Sequence, residues 1–242
     1  MDQLTELHCH ILPYVDDGAQ NLEEANELLL LQQEQGVTTI VATPHRRTHM
    51  FETPQEDVCR QFERLKEFAA QMTPPIQLLF GCENFCDTAL EQRLREQSVV
   101  CMGDSSFVLI EFSGRHSAKE LLAYTSLAVS EGYRPVIAHA ERYPCVQENS
   151  ELLEALIDAG AWIQINAGSV LGEDGLRQKW LCGRLMKQNL VHLIASDCHH
   201  MDMRRPNLGT CAAYVERKMG KAYAERIFYE NPALILSGKT GE

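Results

Sequence analysis

Short apolar runs alternate with longer amphipathic segments along the chain. The runs are bounded by polar residues or glycine, as buried strands are, and they read LTEL, VTTIVAT, IQLLF, FVLI, PVIA, WIQIN and VHLIAS. The segments between and after them predict helices at 21–35, 54–71, 87–96, 118–130, 150–159, 172–188, 208–219 and 222–229. Because strands separated by helices form right-handed βαβ crossovers, this order predicts a parallel sheet.

Seven strands of this kind favour an α/β fold with a closed seven-stranded parallel (β/α)7 barrel. An open sheet would gather its chemistry at one switch point, whereas here chemically active residues follow most of the runs. No linker, internal repeat or low-complexity segment divides the chain, so residues 1–242 are interpreted as one domain. The leucine-rich helix at 21–35 is either a cover for the barrel or a contact in an oligomer.

Histidine, aspartate or glutamate stands at the carboxyl end of six of the predicted strands, where the reactive face of a βα barrel lies. The residues are His8, His10, His45, Glu83, Glu111, His139, Asp197 and His199, and Asp16 and Asp17 follow in the loop after His10. Two residues at i and i+2 of a strand share one face, which applies to both His8 with His10 and Asp197 with His199. Taken alone, His45 or His139 is better interpreted as a hydrogen-bonded core or loop residue than as a metal ligand. The prediction of a metal site therefore depends on the whole series of residues.

Imidazole and carboxylate ligands together suit manganese, iron or zinc. With carboxylates as bridges, this many ligands predict two or three ions, an arrangement that clamps the attacking and leaving oxygens in phosphoryl transfer. Arginines that could grip a phosphate follow three of the histidines, and they are Arg46, Arg47, Arg142, Arg204 and Arg205. Arg142 and Arg204 are preferred because each trails a predicted ligand closely, although the sequence leaves Arg205 as the alternative to Arg204.

The composition narrows the choice of partner and compartment. A formal net charge of −12 disfavours nucleic acid as the main substrate, because binding a phosphate backbone needs a basic surface. The chain has no apolar stretch that predicts a membrane-spanning helix, and its first residues do not resemble a secretory signal. Nine scattered cysteines without a C-x-x-C pair indicate reduced thiols in a cytoplasmic protein.

Several motifs resemble those of the PHP (polymerase and histidinol phosphatase) superfamily. Within it they are similar to the metal-dependent protein tyrosine phosphatases of bacterial capsule and exopolysaccharide loci. The motifs, in the family's order, are ELHCHILPYVDDG, TIVATPHRRTHMFETP, FGCEN, VLIEFS, VIAHAERY, IASDCH and RRP. The resemblance implies a distorted seven-stranded barrel with a trinuclear site that is often loaded with manganese. Cys9 departs from the pattern, since a small hydroxyl residue is common between the paired histidines.

Carried over by motif, the resemblance implies three groups of ligands. The first metal would be held by His8, His10, Glu83 and Asp197, the second by Glu83, Glu111 and His139, and the third by Asp17, His45 and His199. Arg142 and Arg204 would hold the substrate phosphate, and together with His139 they form the predicted catalytic set. The predicted reaction is in-line attack on phosphorus by a metal-bridging hydroxide, without a phosphoenzyme.

The substrate implied by the resemblance is a phosphotyrosine protein, namely the tail of an autophosphorylated kinase of capsule or exopolysaccharide synthesis. One alternative is a phosphoesterase for small molecules such as histidinol phosphate or a nucleotide, and another is a docking module for a kinase without turnover. A third is a cysteine-dependent phosphatase, because Cys198 to Arg204 form a C-x5-R motif. The intervening HHMDM lacks the glycines of a phosphate-cradling loop, and the neighbouring Asp197 would raise the pKa of the thiol.

Overall fold

The computed structural model describes residues 3–238. Its strands, in chain order, are β1 (Leu4–Cys9), β2 (Val37–Ala42), β3 (His45–Arg46), β4 (Gln77–Phe80), β5 (Glu83–Phe85), β6 (Phe107–Glu111), β7 (Arg134–Ile137), β8 (Trp162–Asn166) and β9 (Leu193–Ala195). Its α-helices are α1 (Leu22–Glu34), α2 (Gln55–Gln71), α3 (Thr88–Arg95), α4 (Ala118–Ser130), α5 (Pro144–Glu148), α6 (Glu151–Asp158), α7 (Ala167–Leu171), α8 (Leu176–Lys187), α9 (Leu208–Met219), α10 (Lys221–Glu225) and α11 (Asn231–Leu236). A 3₁₀ turn at Ala140–Arg142 and a π-helical turn at Arg226–Glu230 complete the list.

The strands form two curled parallel sheets. One has the order β1-β2-β4 and the other the order β3-β5-β6-β7-β8-β9. The predicted α/β class with parallel strands is confirmed, but the count of seven strands is not, because nine strands form in the described range. The extra strands arise where ladder pairing stops after β2 and after β4. Pro44, which has no N–H to donate, stands at the first of these interruptions.

The two sheets adjoin at two places. At one of them the chain itself continues from β2 to β3 and from β4 to β5, and these two chain segments stay paired between the ladders, where Gly81 N donates to Ala42 O (2.9 Å) and Glu83 N donates to Pro44 O (3.1 Å). At the other, the chain just after β9 runs beside the end of β1, where Asp197 N donates to His8 O at 2.9 Å. These bonds bring the carboxyl ends of strands from both sheets to one common edge.

Helix boundaries follow local capping chemistry. The side chain of Asn21 accepts a hydrogen bond from Glu24 N at the start of α1, as predicted, and α4 begins with a capping box between Ser117 and Glu120. The predicted helix at 172–188 begins late, at Leu176, because Gly172 and Gly175 both have positive φ and break the chain between α7 and α8. Helices α5, α7 and α11 were not predicted.

Alternate residues of the strands contact two separate apolar clusters. Val108 and Ile110 of β6 belong to the larger cluster, which the covering helices share, while Phe107 and Leu109 belong to a smaller one that Ile235 of α11 joins. Helix α1 buries Leu28 and Leu29, so it covers the sheet. Within residues 3–238, no helix has both the length and the apolar character needed to cross a membrane.

Candidate metal centre

All nine predicted ligands lie in one cluster at the common edge of the two sheets. His8 and His10 lie at the end of β1, Glu111 ends β6, and His45 and Glu83 begin β3 and β5. His139 follows β7 by two residues, Asp197 and His199 follow β9 by two and four residues, and Asp17 lies in the loop after β1. His8, His10, Glu83, Asp197 and His199 have almost no exposed side-chain surface, and His45, Glu111 and His139 are largely buried, while the Asp17 side chain is half exposed. The carboxyl ends of parallel strands meet at one edge, which is why residues so distant in sequence converge.

Glu83, the first residue of β5, lies at the middle of the cluster. Its Oε1 is 3.3 Å from His8 Nε2 and 2.9 Å from His139 Nε2. Its Oε2 is 3.3 Å from His10 Nε2 and 2.9 Å from His45 Nδ1. A carboxylate whose two oxygens each face two imidazoles has the geometry of a bridge between ions.

Three sets of side chains could each hold one ion, because their ligand atoms all lie within 4.8 Å of one another. The sets are His8, His10 and Asp197; His45, Glu83 and Glu111; and His10, Asp17, His45 and His199. They resemble the three groups carried over by motif, but His10 and His45 are each shared between two sets. His139, assigned to the second metal by motif, lies 4.0 Å from Glu111 Oε1 through its Nε2.

Several ligand atoms in this cluster are buried without a hydrogen bond of normal geometry in the described part of the chain. They are His45 Nδ1, Glu83 Oε2, Glu111 Oε2, His139 Nδ1 and Asp197 Oδ1. Burying carboxylate oxygens without partners is costly, whereas cations would satisfy them. The donor set of imidazoles and carboxylates, with no thiolate, therefore fits two or three ions of the manganese, iron or zinc type.

Opposite charges dominate the electrostatics of the cluster. Burial alone would raise the pKa of Glu83, but the neighbouring His8 and His45 hold it well below its usual value. Burial likewise opposes the charged form of His8, yet Glu83 and Asp197 raise its pKa. Burial and the charge of Glu83 raise the pKa of Glu111. Protons on His8 and His10, whose pKa values are both raised, thus take the place that metal cations would fill, so binding of metal would release them.

Hydrogen-bonded polar side chains of β8 hold several of the ligands in position. His8 Nδ1 donates to Gln164 Oε1 (3.2 Å), which also accepts from His139 N (2.7 Å). Gln164 Nε2 then donates to Asn166 Oδ1 (2.8 Å), and Asn166 Nδ2 donates to Asp197 Oδ2 (2.7 Å). These bonds leave Nε2 of His8 free to face the cluster. Sequence reasoning missed Gln164, although it shares one face of β8 with Asn166 by their i, i+2 spacing.

Two buried acids beside the cluster were also missed. Glu6 accepts hydrogen bonds from His8 N (3.1 Å) and Ser196 N (3.0 Å), and burial raises its pKa to about 7. Glu141 accepts from Ser169 Oγ at 2.7 Å, and burial raises its pKa as well. Glu6 could have been found, because it precedes His8 and His10 with the same period of two along β1.

Asp16 orients a ligand rather than facing the centre. Its Oδ2 accepts from His10 Nδ1 (2.7 Å) and from His45 N (2.8 Å). The carboxylate thus fixes the tautomer of His10 with Nε2 toward the cluster. Asp17, and not Asp16, faces the other ligands, with Oδ1 3.4 Å from His45 Nε2.

The two preferred arginines both reach the cluster through Asp197. Arg204 donates from Nη2 to Asp197 Oδ2 (2.6 Å) and from Nη1 to His199 Nε2 (2.9 Å). Arg142 Nη1 donates to the same Oδ2 at 3.2 Å. Arg204 lines the cavity over the cluster and Arg205 does not, so the geometry favours Arg204 as the predicted phosphate ligand.

A cavity of about 440 Å³ opens over the cluster. Its lining includes Arg142 and Arg204, four of the predicted ligands, and the aromatic side chains Phe51, Phe85, Phe112 and Tyr143. His139, Asp197 and Arg204 all have left-handed backbone (φ 32, 52 and 55), a costly conformation that concentrates at functional sites. Cys198 is fully buried and does not line the cavity, which leaves the C-x5-R interpretation without an accessible thiol.

Comparisons with known proteins agree with this geometry. The family model described as capsular polysaccharide synthesis, CpsB/CapC, matches residues 4–237. The tyrosine-protein phosphatase CpsB of Streptococcus pneumoniae is 34% identical over 238 residues, covering 96% of this chain and 98% of that protein. The tyrosine-protein phosphatase YwqE of Bacillus subtilis (strain 168) is 32% identical over 239 residues, covering 98% and 93%.

Solved structures extend these similarities to the fold. One comes from crystal structures of YwqE of Bacillus subtilis and CpsB of Streptococcus pneumoniae, described as metal-dependent tyrosine phosphatases. It matches with a TM-score of 0.90 at 31% identity, covering 98% of this chain and 96% of the other. The phosphotriesterase homology protein of Escherichia coli, at a TM-score of 0.62, 12% identity and coverage of 97% and 98%, shares the fold alone. The resemblance predicted from the motifs is confirmed, and the chain belongs to the CpsB/CapC family of capsular polysaccharide synthesis.

Proposed function

We propose that this chain is a metal-dependent protein tyrosine phosphatase that removes phosphate from the tyrosine-rich tail of a kinase of capsule or exopolysaccharide synthesis. The observation that carries the proposal is Glu83, whose two oxygens face four imidazoles beneath a cavity lined by Arg142 and Arg204. Relatives at 32–34% identity over nearly the whole chain are named tyrosine-protein phosphatases, which supports the same activity here. We place the activity in the cytoplasm and in one domain, 1–242, whose ends at 1–2 and 239–242 lie outside the described residues.

The same proposal treats the two sheets as one distorted seven-stranded barrel of the PHP type. Strands β2 and β3 keep a constant register against β4 and β5, since Thr39 pairs with Gln77 and His45 with Glu83, both 38 positions apart. Each pair of short strands then counts as one interrupted strand. Counted in this way, β1, β2/β3, β4/β5, β6, β7, β8 and β9 make seven.

Two or three ions, manganese foremost, would be held by the nine ligands named above. Bound there, the cations would supply Lewis-acid charge that activates a water molecule and neutralises the transferring phosphoryl group. Arg142 and Arg204 would bind the phosphoryl oxygens by their planar forks, and His139 would orient the central carboxylate through its Nε2. Phe51, Phe85 and Phe112 line the cavity as apolar walls for the tyrosine ring.

Tyrosine also suits the proposed reaction as a leaving group. A phenol has a pKa of about 10, well below that of an aliphatic alcohol, so its departure depends less on a general acid. Leaving-group chemistry therefore favours phosphotyrosine over phosphoserine.

The test compares hydrolysis of a phosphotyrosyl peptide, a phosphoseryl peptide of the same sequence, and histidinol phosphate. We expect the first to be turned over with the highest kcat/KM, EDTA to abolish turnover, and added Mn²⁺ to restore it. Glu83→Gln should lower kcat/KM by at least about 10³-fold, because the bridging charge is lost. Glu154→Gln, an exposed glutamate with the same charge change, serves as the matched control.

Two results would contradict the proposal. One is full turnover by protein that elemental analysis shows to be free of metal. The other is turnover of histidinol phosphate or phosphoserine with a kcat/KM equal to that of phosphotyrosine, which would support the small-molecule phosphoesterase instead.

A further inference from the structure

A second cavity, of about 320 Å³, adjoins the one over the metal centre. The two cavities share His45, Arg47 and Phe51 in their linings. The second cavity is of the size of pockets that hold small ligands. The residues that line it include the apolar Val58, Phe80 and Val100 and the basic Arg46 and Arg93.

The partition between the cavities is a short hairpin. Phe51 N donates to Arg47 O (2.9 Å), and the ring of Phe51 stacks on His45 with centroids 4.8 Å apart and planes 7° apart. Thr53 Oγ1 donates to Val15 O at 2.6 Å, which holds the end of the hairpin against the loop after β1. A peptide bound over the metal centre therefore passes beside a wall that also belongs to the second cavity.

Arg93, in the second cavity, lacks adequate partners. Nε and Nη2 of Arg93 are buried and have no hydrogen-bond partner within residues 3–238, and the side chain is only 14% exposed. The one carboxylate paired with it, Asp87 Oδ1, is 4.0 Å away and already accepts the capping bond from Leu90 N. Burial, and secondarily the charge of Arg46, lowers the pKa of Arg93. A buried guanidinium group with so little compensation, next to a second arginine in the same cavity, creates a site for an anion.

The surroundings of these arginines define what kind of anion fits. The chain carries a net charge of −12, but this cavity is lined by three arginines, Arg46, Arg47 and Arg93, so it is a basic region of an acidic protein. Glu52, which is exposed, is the acidic side chain in the same lining. Apolar walls suit an aromatic ring, and guanidinium forks suit the oxygens of a phosphate.

We propose that this second cavity is a subsite for another phosphotyrosine side chain of the same peptide, whose phosphate is bound by Arg46 and Arg93. The proposal rests on the proposed phosphatase function and names the substrate class that the enzyme prefers, a peptide with two phosphotyrosines close together. An extended peptide advances by about 3.3 Å per residue, so tyrosines a few residues apart span the shared wall.

The test uses the metal-loaded enzyme and peptides that carry one hydrolysable phosphotyrosine. At a neighbouring position, one to three residues away, they carry tyrosine, a non-hydrolysable phosphonate analogue of phosphotyrosine, phosphoserine or glutamate. We expect the phosphonate to raise kcat/KM about tenfold over tyrosine, mainly through KM, the gain of one charge-assisted contact. In Arg93→Gln the ratio of kcat/KM for the phosphonate peptide to kcat/KM for the tyrosine peptide should fall to about one. Arg95, an exposed arginine on the same helix, serves as the control, and Arg95→Gln should keep the tenfold ratio.

Binding provides a second readout that does not depend on turnover. On metal-free protein, the peptide with two phosphonate analogues should bind about tenfold more tightly than the peptide with one, and Arg93→Gln should remove the difference. A ratio of one with wild-type protein in both measurements would overturn the subsite. If phosphoserine or glutamate raised kcat/KM as much as the phosphonate does, the assignment of the subsite to phosphotyrosine would be overturned. It would also be overturned if Arg95→Gln lost the effect of the phosphonate as completely as Arg93→Gln. Failure of the phosphatase proposal is distinguishable, because the peptide with a single phosphotyrosine would then not be hydrolysed at all.

Discussion

Replacing Arg204 by glutamine separates its role from that of its neighbour Arg205, which the sequence could not do. Arg204 reaches Asp197 and His199 at 2.6 and 2.9 Å, so its fork points at the centre, whereas Arg205 is absent from the lining of the cavity. A hydrogen bond to a charged group contributes about 1.5–3 kcal/mol. Two such bonds to a phosphate, taken as not fully additive, amount to about 3–4 kcal/mol, or a loss of roughly 10²–10³-fold in kcat/KM.

The fold should tolerate this change. The Arg204 side chain is 38% exposed, and Asp197 Oδ2 keeps its bonds from Asn166 (2.7 Å) and Arg142 (3.2 Å). We therefore expect Arg204→Gln to keep its metal content and thermal stability.

The assay is steady-state hydrolysis of a phosphotyrosyl peptide by metal-loaded protein, with metal measured in each preparation. Arg205→Gln makes the same charge change and should stay within about threefold of wild type, as expected for an exposed charge. The reasoning is refuted if Arg204→Gln also stays within that range. It is equally refuted if the two variants lose activity to the same extent.

Three further changes test other parts of the structure. Cys198→Ser should keep kcat/KM within about threefold, because the thiol is fully buried outside the cavity; complete loss would revive the cysteine mechanism. Gln164→Ala should weaken metal affinity about 10–100-fold in a chelator competition, since His8 loses the acceptor that orients it; an unchanged affinity would contradict that role. Burial lowers the pKa of His192 from 6.5 to about 4, so its neutral form contributes stability that is complete above pH 6.5 and is lost as pH falls toward 4. The full pKa shift corresponds to about 3 kcal/mol, which partial exposure reduces. Between pH 7.5 and pH 4 the free energy of unfolding in urea should therefore fall by about 1–2 kcal/mol less for His192→Gln than for wild type. An equal fall in the two proteins would count against this role of His192.

Much of the candidate site could be predicted because its residues follow a simple rule of position. A polar residue at the carboxyl end of a parallel strand faces the common edge, so His45, Glu111 and Asp197 were recognisable without any knowledge of their contacts. The missed residues obey the same periodicity but resemble ordinary strand residues. Gln164 within WIQIN and Glu6 within LTEL carry no signal by themselves.

The number of strands was harder to predict than their direction. VTTIVAT and IQLLF predict single strands, yet ladder pairing stops after Ala42 and after Phe80 and resumes at His45 and Glu83. Whether two short ladders form or one long ladder depends on how strongly the sheet curls. Pro44, which has no N–H to donate, marks the first interruption in the sequence, but the curl itself is visible only in the tertiary structure.

The sequence by itself determined which residues could serve as metal ligands, because the alternation of strands and helices decides which residues stand at strand ends. It also determined local events such as the Asn21 cap, whose partners lie within one turn of helix. Only the tertiary structure decided that Glu83 faces four imidazoles, that Arg204 and not Arg205 reaches Asp197, and that Arg46 and Arg93 share a cavity. Most of these contacts join residues far apart in the chain, and all of them depend on strand register, curl and backbone conformation, which the local sequence pattern did not specify.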